Sequence, residues 1–166
     1  MPNAEFQYVL VGALAIGLVI AAVTDLRRRQ IDNWLNAAIA MGAPVYWWAS
    51  GLAVWPGIAA QLGIAAITFA ICACLFALRA MGGGDVKLLA ALALWITPVW
   101  FLKLVIMMSL LGGLLTVVLA VWHGLRRNRE RLAIPYGVAI STAGLWALAS
   151  QFLPAAHSAV AAGGVG

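Results

Sequence analysis

Six apolar stretches free of charged side chains, residues 6–24, 34–52, 57–78, 88–102, 104–122 and 134–153, leave this 166-residue chain little choice of solvent. Most approach the roughly 20 residues that a helix needs to cross a hydrocarbon core, where every backbone N–H and C=O must be satisfied without water. The expectation is an all-α polytopic membrane protein with six transmembrane helices, one domain over residues 1–154 and no room for a second. A hydrophobic share of 65% excludes an ordinary soluble domain. Residues 155–166, rich in Ala and Gly, predict a disordered tail.

The fourth run is short. A helix over residues 88–102 rises only about 22 Å against a core of roughly 30 Å, so its span is expected to begin near Asp85, drawing Asp85 and Lys87 towards the interface. Basic residues orient the bundle. Arg27, Arg28 and Arg29 fall in the first loop, Arg79 and Lys87 flank the third, and Arg126, Arg127, Arg129 and Arg131 fall in the fifth, which leaves only Lys103 on the opposite side. Positive charge marks the cytoplasmic face, so both termini are expected outside. The net charge of +5 then reflects topology, and the lipid bilayer, not nucleic acid, is the expected partner. Trp34, Trp47, Trp48, Trp55, Trp95, Trp100 and Trp122 lie near span ends and suit an aromatic belt. Cys72 and Cys74, two apart in an apolar run, read as small buried hydrophobes and not as a disulfide or zinc pair.

With five acidic residues in the whole chain, Asp25 and Asp85, each at an end of an apolar run, invite a functional reading. Asp25 closes the first span, where the negative end of the helix dipole disfavours a carboxylate, and an ion pair with the neighbouring arginines is the structural alternative. Asp85 follows Gly82, Gly83 and Gly84, and a helix cap is its structural alternative. Three glycines exceed what a cap needs and leave one side of the loop bare for an extended peptide to approach. One ionised and one protonated carboxyl supply a base for an attacking water and an acid for a carbonyl oxygen, and their proximity alone splits the two pKa values.

Asp25, Arg27, Ile31 and Asn33, together with Gly82, Gly84, Asp85 and Lys87, resemble the paired motifs of the type IV prepilin peptidases, the bacterial branch of the GxGD membrane aspartyl proteases. Pro135-Tyr136-Gly137 is similar to the family's Pro-x-Gly element. Asp32 departs from the pattern and reads as a cap for the second span. The chain is similar to the short, peptidase-only members associated with tight-adherence (Flp) pili, without the added cysteine-containing domain of the methylating members. The resemblance implies a bacterial inner-membrane endopeptidase whose cytoplasmic site removes a basic leader from prepilins or pseudopilins. It implies Asp25 and Asp85 as the catalytic pair, support from Gly82, Gly83, Gly84, Arg27, Asn33 and Lys87, and neither metal nor cofactor. The alternative is a small non-enzymatic transporter or assembly subunit with proton- or cation-binding aspartates. It predicts carboxylates deep within the spans, and the runs contain none.

Overall fold

The computed structural model describes residues 4–125 and 136–163. Its helices are α1 (Ala4–Arg28), α2 (Asn33–Ser50), α3 (Ala59–Ala77), α4 (Gly83–Ala93), α5 (Pro98–Leu125) and α6 (Tyr136–Gly163), with a π-helical turn, Val54–Ile58, leading into α3. No strand occurs among the described residues. Three segments, Glu5–Arg28, Val54–Ala77 and Pro98–Val118, are long and apolar enough to cross a membrane. Arg126, Arg127, Arg129, Arg131 and Pro135 lie outside the described residues.

α1, α2, α4 and α6 close a ring, each packed on two neighbours. α3 leans on α4 from outside the ring, and α5 on α6. Helical periodicity decides which residues face inwards. On α1 the buried positions Leu14, Leu18, Ala21 and Asp25 recur at spacings of three and four, one stripe along one face. On α4 and its extension Asp85, Leu88, Leu89, Leu92 and Ile96 form the matching stripe. α6 contributes Ile140, Ala143 and Ala147. Gly144 lets α6 come close, because a Cβ there would sit 3.0 Å from Leu18 and 3.4 Å from Leu92.

The fourth apolar run is not a single span. It breaks between Ala93 and Pro98, so that α4 is an 11-residue helix of about 16 Å, and residues from 98 onward belong to α5. Proline is the physical cause. Pro98 has no N–H to continue α4, biases Thr97 away from helical angles, and is well suited to the first position of a new helix. Thr97 then caps α5 through its carbonyl, which accepts from Phe101 N–H at 2.8 Å. Lys103 therefore lies on α5 itself and not in a loop, with Nζ 3.9 Å from the Trp100 ring centroid.

Two tryptophans expected in an interfacial belt sit in the core. Trp95 donates its indole N–H to the Ile39 carbonyl and Trp47 donates to the Leu94 carbonyl, each at 2.8 Å, which ties α2 to the end of α4. The Leu94 bond satisfies a carbonyl left free where α4 stops. Trp34, Trp48 and Trp55 are exposed, as a belt requires. Of the two cysteines, Cys72 is buried and Cys74 exposed. At the C-terminal end the helical backbone of α6 continues to Gly163, past Ala155 where composition predicts disorder; alanine, the best helix former, favours this continuation.

Candidate active site

Asp25 ends the inward stripe of α1 and Asp85 opens that of α4, so the packing of the bundle brings both carboxylates to the same end of its core. They are 5% and 8% exposed and line one polar cleft of about 390 Å³ with the 29–33 segment, Gly82, Gly83, Gly84 and Lys87. Burying two carboxylates is costly unless each finds hydrogen bonds or a proton.

Asp25 finds its partners on α6. Its Oδ2 accepts the backbone N–H of Val138 at 3.1 Å, and the Gly137 N–H also bonds to it. These are among the first N–H groups of α6, which have no partner within their own helix and carry the positive end of its dipole. A carboxylate disfavoured at the end of α1 is thus offset by the start of α6, whereas Arg27 and Arg28 are exposed. Gly137 makes the approach possible: a Cβ there would lie 2.8 Å from Asp25 Cγ and Oδ2 and 2.8 Å from Ile31 Cδ1.

Asp85 is the third residue of α4, and the cap position belongs to Gly82. Its carboxyl reaches back to accept the Gly82 N–H, the acidic half of a capping box. A Cβ on Gly82 would sit 2.8 Å from Asp85 Oδ2, so a larger residue would have to displace that carboxyl. Burial, and then the charge of Asp25, push the Asp85 carboxyl up to about 6, with the Gly82 N–H acting in the opposite direction. Its proton is therefore held to a far higher pH than that of an ordinary aspartate.

The bare sides of the glycines are used within the protein. Gly82 gives room to Asp85, Gly83 faces Phe76, and Gly84 packs on Ile31, where a Cβ would be 3.3 Å from both the backbone N and O. This differs from a loop left open for a peptide. Its effect is to press the first motif onto the second: Ile31 is wedged between Gly84 and Gly137, Asn36 Nδ2 donates to the Gly84 carbonyl at 3.1 Å, and Lys87 Nζ donates to Asn33 Oδ1 at 2.7 Å. Arg29, left-handed at φ 54°, ends α1 and turns the chain into this segment, its N–H donating to the Asp25 carbonyl.

Arg29 lines the cleft, and Arg27 does not. Asp32 stands at the cap position of α2, but its side chain makes no cap hydrogen bond; its backbone carbonyl accepts from Leu35 and Asn36, and the residue is part of the cleft lining. Asn36 gives only a weak signal in the sequence, a lone amide tolerable inside an apolar run. Nothing local places Gly137 beside Asp25, a contact across more than a hundred residues.

A bundle that is all-helical among the described residues, with membrane-length apolar segments and two buried carboxylates in one polar cleft, defines the class as a helical membrane protein. The family model for the type IV leader peptidase family matches residues 12–121, well over half of the chain, and the chain belongs to that family of proteases. Neither the curated proteins nor the solved structures compared with it gave a match. The family match ends before α6, which supplies the hydrogen bonds to Asp25.

Proposed function

We propose that this protein is an aspartyl leader peptidase of the GxGD type that cuts prepilin-like proteins between a basic leader and the apolar helix that follows. The observation that carries the reading is the convergence of Asp25 and Asp85 on one cleft, with Asp25's charge helping to raise Asp85. In the proposed reaction ionised Asp25 takes a proton from water as the water oxygen attacks the scissile carbonyl carbon, and protonated Asp85 gives its proton to the carbonyl oxygen. Collapse of the tetrahedral intermediate breaks the C–N bond, and the amine leaves with a proton returned from the dyad. Gly82 and Gly84 position Asp85, and Asn33 and Lys87 brace the segment between the motifs.

The proposed setting is the bacterial inner membrane, with both termini outside and the cleft facing the cytoplasm, where the arginines of the first loop lie. Six hydrophobic segments carry the chain across the bilayer, the fourth through the body of α4 and the turn that follows it, beyond Asp85 at its cytoplasmic mouth. The substrates are prepilins or pseudopilins. Asp25→Asn and Asp85→Asn are expected to insert into the membrane normally and to abolish leader removal, whereas Asp32→Asn retains most activity. The readout is the mobility shift of a co-expressed prepilin. Full processing by either of the first two variants, at wild-type expression, overturns the dyad.

A further inference from the structure

Beside the polar cleft lies a second cavity of about 410 Å³ with a different character, lined mainly by Ala37, Ala40, Ala65, Phe69, Ala90 and Leu94. Its floor is α4, and its walls are α2 and α3, which both pack on α4 without extensive contact with each other. Asn33 and Lys87 border both cavities, so a chain leaving the cleft enters this groove directly. From Asn33 to Ala40 on one wall and from Lys87 to Leu94 on the floor, the groove extends about 10 Å, two helical turns, towards the other side of the bundle.

Alanines on its walls and floor permit close backbone approach, which is how helices associate where lipid removes the hydrophobic driving force. Small residues alone do not make a site. The second observation is Asn36, which lines the groove at 3% exposure and has no hydrogen-bond partner for Oδ1 among the described residues. Its orientation is fixed, because Nδ2 donates to the Gly84 carbonyl and a flipped amide would set two acceptors against each other. A buried acceptor of this kind calls for a donor. The start of a helix offers donors without acceptors, since its first four N–H groups have no intrahelical partner.

We propose that this groove docks the apolar helix on the C-terminal side of the cleaved bond, with Asn36 Oδ1 as acceptor for an N–H of that helix's first turn. The inference rests on the leader-peptidase reading. It goes further by assigning the place where the substrate's membrane segment lies and a residue that sets its register against Asp85. Asn36 is a positioning residue and does not touch the reacting atoms.

Disulfide trapping tests it. In a Cys72→Ala/Cys74→Ala parent, one cysteine is introduced in the groove as Ala65→Cys, or on the exposed face of α5 as Val117→Cys, and a prepilin carries single cysteines scanned along its apolar helix. The groove cysteine is expected to trap substrate positions recurring every three to four residues, at a yield about tenfold above that of the α5 control. Cleavage of the same prepilin by the parent, with trapping that is absent, unpatterned or equal at both sites, overturns the docking site and means that the groove holds lipid only. Patterned trapping by a parent that does not cleave supports the docking site and overturns the peptidase reading instead. As a second measurement, Ala40→Phe is expected to raise KM about tenfold while changing kcat by less than about twofold. An unchanged KM in the folded variant counts against the groove.

Discussion

Adding one methyl group at Gly137 tests how Asp25 is held. In Gly137→Ala the new Cβ would stand 2.8 Å from Asp25 Cγ and Oδ2 and from Ile31 Cδ1, where ordinary contact begins at 3.4 Å. Ile31 on the other side of the methyl is packed against Gly84 and gives little room, so the carboxylate has to yield. A retreat of about 0.6 Å stretches the 3.1 Å bond from Val138 N–H beyond useful hydrogen-bonding distance. A hydrogen bond to a charged group contributes about 1.5–3 kcal/mol, so the loss in kcat/KM is expected to be about 10- to 100-fold. Overpacking adds about 1–3 kcal/mol of destabilisation. The control is Gly113→Ala, where nothing lies within 4 Å of the added methyl and helix propensity gains about 0.5–1 kcal/mol. Prepilin cleavage by purified protein, followed by mass spectrometry, and thermal unfolding in the same detergent give both readouts. Wild-type kcat/KM for Gly137→Ala would show that this close approach does not fix the candidate catalytic carboxylate.

With Asp85 protonated up to about pH 6, cleavage that uses it as the acid should decline as pH rises through that value, by about tenfold per unit once well above it. The sign is the same for stability: a carboxyl raised above its unfolded value of 3.8 stabilises the fold fully at low pH, and this contribution is lost as pH rises through about 6. A pH–rate profile still rising above pH 7 contradicts that assignment of the acid. Trp95→Phe removes the buried bond to the Ile39 carbonyl and part of the stack on Tyr46, whose ring centroid is 5.1 Å away, and should cost about 2 kcal/mol without altering the Asp85 pH limb. Thermal unfolding checks the first expectation and the pH profile the second. A cysteine at position 28 should react with an impermeant maleimide only from the cytoplasmic side and one at position 103 only from outside; the reverse pattern inverts the proposed orientation.

Composition determined the class of this protein by itself, because a chain so apolar has helices in lipid as its stable solution. The paired motifs also made the candidate carboxylates legible, whereas the inward position of Asp25 shows only in the burial of Leu14, Leu18 and Ala21, since the first run is apolar all round. Sequence did not reveal that residues 88–102 break in two, although Pro98 was visible, since apolarity runs unbroken across the break while backbone geometry does not. Nor could it say that the three glycines face Asp85, Phe76 and Ile31, or that the Asp32 side chain leaves its cap unbonded. What holds Asp25 was decided by tertiary structure alone. The N–H groups of Gly137 and Val138 satisfy a carboxylate more than a hundred residues away, and hydrogen bonds between helices depend on how the bundle closes, which no local pattern encodes.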